Sequence, residues 1–174
     1  IEQALRTSRR VAHLTRLASN GRSIVSVGLD QVPRDWAASR VLLLGTGAYA
    51  GAVVAALMAR GCGDISVHSS SGRAASFAHS HGVAAITGPL APALADADVV
   101  VTCRGVGTPI LTVAGVAGAL AGRGGRVLDI VDLALARDTE EGVARLPGVR
   151  FVDLAAVQRH VPEASAAEVA RAER

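Results

Sequence analysis

The chain has 174 residues: 18 are basic and all of those are Arg, 15 are acidic, half are hydrophobic and only 2% are aromatic, with a formal charge of +3. A chain of this length suits one domain that buries roughly 70% of its unfolded surface, so its core is close-packed Ala, Val, Leu and Ile rather than rings. Two cysteines at neither metal nor disulfide spacing exclude a stapled scaffold, and no apolar run of about 18 residues free of glycine and charge suggests a membrane span. A reducing cytoplasm is expected.

Residues 1–40 hold seven Arg against three acids, and the remainder eleven against twelve. The basic arm RTSRRVAHLTR fits either a phosphate-rich partner or a solvated helix face, and it lacks the interleaved aromatics of a nucleic-acid surface. A Ser-Asn-Gly break at 19–21 ends the arm's polar helical stretch, and Pro33 interrupts a second segment. Residues 1–39 therefore read as a helical arm or linker from a neighbouring domain. The chain opens on Ile and its first residues look mid-helical, so a piece of a longer protein is expected.

From residue 40 on, short aliphatic runs alternate with Ala-rich helical stretches. The runs are RVLLLG (40–45), DISVHS (64–69), GVAAIT (82–87), ADVVVTC (97–103), RVLDIVDL (126–133) and VRFVDL (149–154). Between them lie AGAVVAALMARG, GRAASFAHSHG, LAPALADA and TVAGVAGALAGRG, several closing on Gly where a helix end wants a left-handed residue. Strand and helix at this spacing mean βαβ crossovers. Continuous rather than alternating apolar runs mean a sheet covered on both faces. The expectation is a Rossmann-like α/β domain over 40–160, a doubly wound parallel sheet with helices on both faces, and the start of a C-terminal helix over 161–174.

The stretch LLLGTGAYAG places G-x-G-x-x-A between the first run and the first helix. Gly45 stands where the strand must turn, Gly47 lets backbone approach a pyrophosphate, and Ala50 permits close packing of helix on strand. Such a turn without a ligand is the bland alternative; its place in a βαβ series favours a phosphate cradle formed by Gly45, Thr46, Gly47, Ala48 and Tyr49 at a helix N-terminus. An NAD site would place an acid at the end of the second run to bond the ribose 2′-hydroxyl, and that acid would repel a 2′-phosphate. Here the run ends ISVHSSSGR. Ser69, Ser70, Ser71 and Arg73 favour NADPH over NADH, against the alternative of a plain polar loop. Thr102 and Gly105, in VVVTCRGVGTPIL, are expected beside the nicotinamide. Cys103 lacks a neighbouring base, so it is expected to be buried or lining rather than nucleophilic. His79 and His81 face different sides of one helix and make a poor metal pair.

These passages resemble the middle, NADPH-binding region of the glutamyl-tRNA reductases. VLDIVDLALARDTEEGVARLPGVRFVDLAAVQ resembles that family's "IDLAVPRD…LPGV…YDIDDLQ" passage. The turn LLLGTGAYAG is similar to its "GAGEMG", VVVTCRGVGTPIL to its "SSTGAPHPIL", and ALRTSRRVAHLTRL to the arm before the nucleotide domain. The resemblance implies NADP(H) as cofactor, glutamyl-tRNA as a partner of the full-length protein, and a dimer built by a C-terminal domain. It implies a reaction in which a thiolate attacks the glutamyl ester and hydride from NADPH releases glutamate-1-semialdehyde from the thioester, at the start of tetrapyrrole biosynthesis.

The departures are specific. Ser70 stands where the family carries the Arg that meets the 2′-phosphate, leaving Arg73 as the nearby substitute. His13 and Leu14 replace Thr and Glu, Pro33 interrupts a helix, and Ala136 replaces the Pro of "VPRD". No "STCNR"-like passage with the nucleophilic Cys occurs, so the chain by itself is expected to bind dinucleotide without turnover. Asp132 and Arg137 are expected to fix loops. Two other readings stay open: an NADP-dependent dehydrogenase of the shikimate dehydrogenase type, whose Lys-Asp pair would need a further domain because this chain has no Lys, and a non-catalytic scaffold that has lost its cofactor.

Overall fold

The computed structural model describes residues 24–47 and 49–160. Ala48, the arm residues His13 and Leu14, and the expected helix over 161–174 lie outside the described residues. Six strands, all parallel, make one sheet: β1 (Arg40–Leu44), β2 (Asp64–His68), β3 (Ala84–Ile86), β4 (Val99–Thr102), β5 (Leu128–Asp132) and β6 (Val149–Asp153). A helical segment at 24–30 (α1) precedes them. The crossovers carry α2 (Ala50–Ala59), α3 (Ala74–His81), α4 (Leu90–Asp96) and α5 (Val113–Ala121), and a helical segment at 154–160 (α6) follows β6. Each expected run forms a strand, trimmed where its ends enter turns.

The order across the sheet is β3-β2-β1-β4-β5-β6. Successive side chains of a strand point to opposite faces, and β1 shows the consequence. Val41 and Leu43 enter one core with Val53 and Leu57 of α2, while Leu42 and Leu44 enter the other with Leu94 of α4 and Val116 of α5. Both faces are covered by apolar side chains, and at about 1.5–3 kcal/mol for each fully buried Leu or Val the central strands dominate the burial. The edge strands β3 and β6 have no fully buried position.

The described part of the expected arm folds onto this sheet. Val25, Val27 and Leu29 of α1, with Val32, are buried in the same core as Val41 and Leu43. Gly28 explains how closely α1 approaches: a Cβ there would stand 3.2 Å from Leu133 and 3.3 Å from Val157. Arg60 at the end of α2 ties the two helices, donating to the Ser26 hydroxyl at 2.8 Å and to Asp30 at 2.6 Å. Residues 25–32 thus pack onto the sheet through Val25, Val27, Leu29 and Val32.

On the other face, Arg123 is 3% exposed and has no acidic partner among the described residues. Its guanidinium caps the chain leaving α4, donating to the carbonyls of Ala95 at 2.7 Å and of Ala97, and to Val127 at 3.2 Å. A cation on the carbonyl end of a helix also meets the negative pole of its dipole. The glycines on which the helical stretches close, Gly61, Gly82 and Gly124, all take positive φ, and Gly82 is the left-handed cap of α3.

Candidate functional site

Register aligns the carboxyl ends of the strands, so His68, Leu44, Thr102, Asp132 and Asp153 form one row across the sheet. β1 lies between β2 and β4, and the chain leaves β1 for α2 on one face and β4 for α5 on the other. The diverging connections open a crevice above β1 and β4, the place where sheets of this kind take ligands.

Gly45 turns the chain into that crevice with φ +116°, a region that favours glycine. A Cβ there would stand 3.0 Å from Cγ of Arg104 and 3.3 Å from its backbone nitrogen. The Gly45 amide donates to the His68 carbonyl at 2.9 Å, stitching the turn to the end of β2. Helix α2 then starts at Ala50 behind Tyr49, whose side chain makes no capping bond. The first amide groups of α2 therefore have no side-chain acceptor, the arrangement that receives phosphate oxygens.

At the end of β2 the hydroxyls form a relay. Ser69 and Ser71 are 2.9 Å apart, Thr46 reaches Ser69 at 3.4 Å, and Nε of Arg73 donates to Ser71 at 2.9 Å. Ser70 is exposed. These residues, with Gly45, Gly47, Arg104 and Val106, line a cleft of about 90 Å³ that contains no acid. Gly47 and Arg104 also border a neighbouring cleft of about 200 Å³, lined further by Tyr49, Cys103, Gly105 and Leu133 to Leu135. Leu135 in turn borders a third, of about 310 Å³, with Arg137, Asp153 and Gln158. Together they make a groove along the carboxyl edge of the sheet.

Two buried carboxylates hold the groove's floor. Asp132 accepts from the Thr102 hydroxyl at 2.9 Å and from the amides of Ala134 and Asp138 at 3.1 Å each. Asp138, fully buried, accepts from the amides of Arg104 at 2.6 Å and Gly105 at 3.2 Å. Burial raises the Asp138 pKa, with Asp132 adding to it, against the lowering effect of those amides and of Arg104. The pair fixes the loops after β4 and β5, as the sequence suggests for Asp132. Arg137 bonds Asp153 at 2.9 Å.

The expected residues separate into three groups. Gly45, Thr46, Gly47, Ser69, Ser70, Ser71 and Arg73 come together in one cleft; Tyr49 and Gly105 line the next; Thr102 is fully buried with its hydroxyl bonded to Asp132 and lines none of the three clefts. Its side chain supports the floor instead of facing the nicotinamide side, because the last residue of a strand covered on both faces lies in the core. Cys103 is buried and non-nucleophilic in character: burial and then Asp138 and Asp132 push its thiol up to about 12. His81 bonds the Phe77 carbonyl at 3.0 Å and stacks on the Phe77 ring, and no group of metal-ligating side chains occurs among the described residues.

Arg104 is the site residue that local sequence reasoning passes over. Its position between Cys103 and Gly105 draws attention to the thiol, and only the adjacency of β1 and β4 puts it in the groove. His68, which the sequence offers either to an adenine or as a surface imidazole without a partner, is half-buried with its Nδ1 lacking a hydrogen-bond partner among the described residues. Burial, then the charge of Arg104, lowers its pKa below the ordinary histidine value.

With the groove in view, comparison with known proteins is decisive for the family. The family model described as "Shikimate / quinate 5-dehydrogenase" matches residues 27–160. The chain belongs to the shikimate / quinate 5-dehydrogenase family. The match begins inside α1, in accord with the burial of that helix. Among relatives of this shikimate / quinate 5-dehydrogenase domain, the glutamyl-tRNA reductase of Cutibacterium acnes is 48% identical over 175 residues, 99% of this chain and 39% of the relative. That of Clavibacter michiganensis is 45% identical over 92% of this chain and 38% of its own length. The chain thus spans about two-fifths of the curated relatives it matches. The glutamyl-tRNA reductase structure from Methanopyrus kandleri superposes with a TM-score of 0.74 at 28% identity, covering 85% of this chain and 39% of that one. The nucleotide-binding domain from Thermoplasma volcanium, at 17% identity and TM-score 0.59, shares the fold and is covered over 97% of its length. The resemblance drawn from VDLALARD and LPGV is borne out, and so is the α/β Rossmann-like architecture. A dehydrogenase-type nucleotide-binding domain follows from both. No helix among the described residues is long and apolar enough to cross a membrane.

Proposed function

We propose that this chain is the NADPH-binding domain of a glutamyl-tRNA reductase, the part that holds the hydride donor while glutamyl-tRNA is reduced to glutamate-1-semialdehyde in tetrapyrrole biosynthesis. The carrying observation is the acid-free cleft in which the Gly45 turn, the Ser69–Ser71 hydroxyls and Arg73 converge. A carboxylate at the end of β2 would repel a 2′-phosphate, whereas hydroxyls and an arginine supply charge-assisted bonds to it.

The residues present fit such a cofactor. Gly45 turns the chain toward the pyrophosphate, for which Thr46, Gly47 and the uncapped start of α2 offer backbone donors; Ser69, Ser70, Ser71 and Arg73 face the adenosine ribose; Tyr49 and Gly105 border the nicotinamide half. The cofactor supplies hydride when bound. This chain's own contribution is to bind and orient it and, through Leu133 and Leu135, to wall its reacting end with apolar surface. In this reading the thiolate that the full reaction needs comes from another part of the enzyme, since Cys62 is buried and the thiol of Cys103, which borders the second cleft, is pushed up to about 12. Glutamyl-tRNA, a dimeric full-length enzyme and a cytoplasmic setting belong to the same proposal.

The test is a titration of the chain with NADPH and NADH, followed by nicotinamide fluorescence and by heat. A clear NADPH preference supports the reading; equal affinities would keep the glycine turn and remove the 2′-phosphate site; binding of neither would leave a scaffold. The family match favours one second reading, a dehydrogenase acting on a small hydroxylated acid. The identity to glutamyl-tRNA reductases along 99% of the chain weighs against that.

A further inference from the structure

Among the described residues, Arg73 is the one cation that the β2 side brings to the acid-free cleft, because Ser70 carries no charge. The opposite wall brings another. Arg104 enters from the loop after β4, with its side chain 13% exposed. Its backbone is pinned by Asp138 at 2.6 Å and its stem lies against Gly45, so the position of the group is set by the fold rather than by a flexible tether.

Its guanidinium has weak protein partners. Nη1 reaches the Thr108 carbonyl at 3.4 Å and stands 3.8 Å from an Asp138 oxygen, beyond hydrogen-bond length. That carboxylate is already engaged by the amides of Arg104 and Gly105. A planar group with five N–H donors is therefore held at the cleft with most of them unengaged by close acceptors among the described residues. A dianionic phosphate is the ligand chemistry that two arginines from facing walls, a run of hydroxyls and no acid would recognise.

We infer that Arg104 is a specificity-determining residue that selects a 2′-phosphorylated adenosine in this cleft, acting across it from Arg73. The inference rests on the nucleotide reading above and extends it to a residue on a different strand, one that the serine loop does not contain. Arg104 and Arg73 act as a clamp, with neither sufficient for the full preference.

The experiment compares four probes on the 174-residue chain: NADPH, NADH, 2′,5′-ADP and 5′-AMP. The wild-type chain tests the nucleotide reading, and binding of no probe would remove that reading and the clamp together. Given a wild-type preference for the 2′-phosphorylated member of each pair, Arg104→Gln is expected to weaken NADPH and 2′,5′-ADP tenfold or more and to change NADH and 5′-AMP less than threefold. Equal weakening of all four would assign Arg104 to the shared 5′-phosphates and overturn the inference while the nucleotide reading stands. Unchanged affinities would overturn it equally. Should Arg104→Gln fail to fold, Arg104→Lys carries the test. It keeps the stem and charge but loses the planar fork, and an NADPH-to-NADH ratio reduced several-fold supports the clamp, whereas an unchanged ratio rejects it.

Discussion

Asp129 and Asp132 stand on the same strand, both nearly fully buried, and are used in opposite ways. At the amino edge of the sheet, Asp129 accepts from Arg150 at 2.6 and 2.8 Å and from Arg34 at 2.6 Å. Nearby, Asp98 pairs with Arg126 at 2.9 Å and accepts the Arg40 amide at 3.0 Å. At the carboxyl edge, Asp132 and Asp138 bond a hydroxyl and backbone amides instead. One edge neutralises its arginines with carboxylates, while the other, apart from the Arg137–Asp153 pair, uses its carboxylates to shape loops and leaves Arg73 and Arg104 lining the cleft. A binding edge in a parallel sheet is thus defined as much by where the acids are committed as by where the cations lie.

Removing a loop-holding acid breaks this contrast most severely. Asp132→Ala leaves the Thr102 hydroxyl and two buried amides without their acceptor, and at about 1–3 kcal/mol for each stranded buried group the loss exceeds about 3 kcal/mol. A urea titration should show the midpoint collapse, and a shift under about 1 kcal/mol would mean that water or relaxation replaces those bonds. Gly45→Val comes next. A branched residue at φ +116° that also meets Arg104 is strained by about 1–3 kcal/mol, and NADPH binding by the folded fraction should be lost.

Arg73→Gln tests the other half of the contrast. It should leave the melting temperature nearly unchanged, since Arg73 is exposed, and lower NADPH affinity about tenfold, a change of about 1.4 kcal/mol, with NADH affected less. By comparison, Arg150→Gln at the amino edge should cost under about 1 kcal/mol, because the arginine is half exposed and Asp129 keeps Arg34, and should not alter nucleotide binding at all. A binding defect in Arg150→Gln would erase the distinction between the edges.

The smallest effect is a pH dependence. Burial alone would raise the Asp98 pKa, but the Arg40 amide and the charges of Arg40, Arg126 and Arg34 outweigh it and hold the pKa below its ordinary value. A depressed folded pKa contributes stability that is fully present above the unfolded value near 4 and is lost as the pH falls through the folded value. Arg126→Gln should therefore lower stability at pH 7 by the small amount the pair contributes, leave it unchanged at pH values where Asp98 is protonated, and so flatten the acid limb of a stability-against-pH curve. An identical acid limb in the variant would show that the pair contributes nothing.

Much of this was legible in the chain itself. The six runs, the helices between them and the turn at Gly45 are local, since apolar runs bounded by Gly and a G-x-G-x-x-A spacing constrain only neighbours along the chain. Ser69 to Ser71 with Arg73 were legible for the same reason, as a short loop whose lack of an acid can be read directly. Thr102 was misplaced because a strand's last residue looks like a loop lining until the covering layers bury it. The helix at 24–30 looked like an arm because its apolar residues, Val25 and Leu29, gain meaning only against β5 and α6, far along the sequence.

The sequence by itself determined a doubly wound nucleotide-type domain and the chemistry of one wall of its cleft, because period, turn geometry and charge act over a few residues. Only the tertiary structure decided that Arg104 lines the same cleft as Arg73 and that Asp132 and Asp138 are committed to a hydroxyl and backbone amides. Those relations depend on β4 pairing beside β1 and β5 beside β4, and on the chain diverging to opposite faces there. No local pattern carries that information.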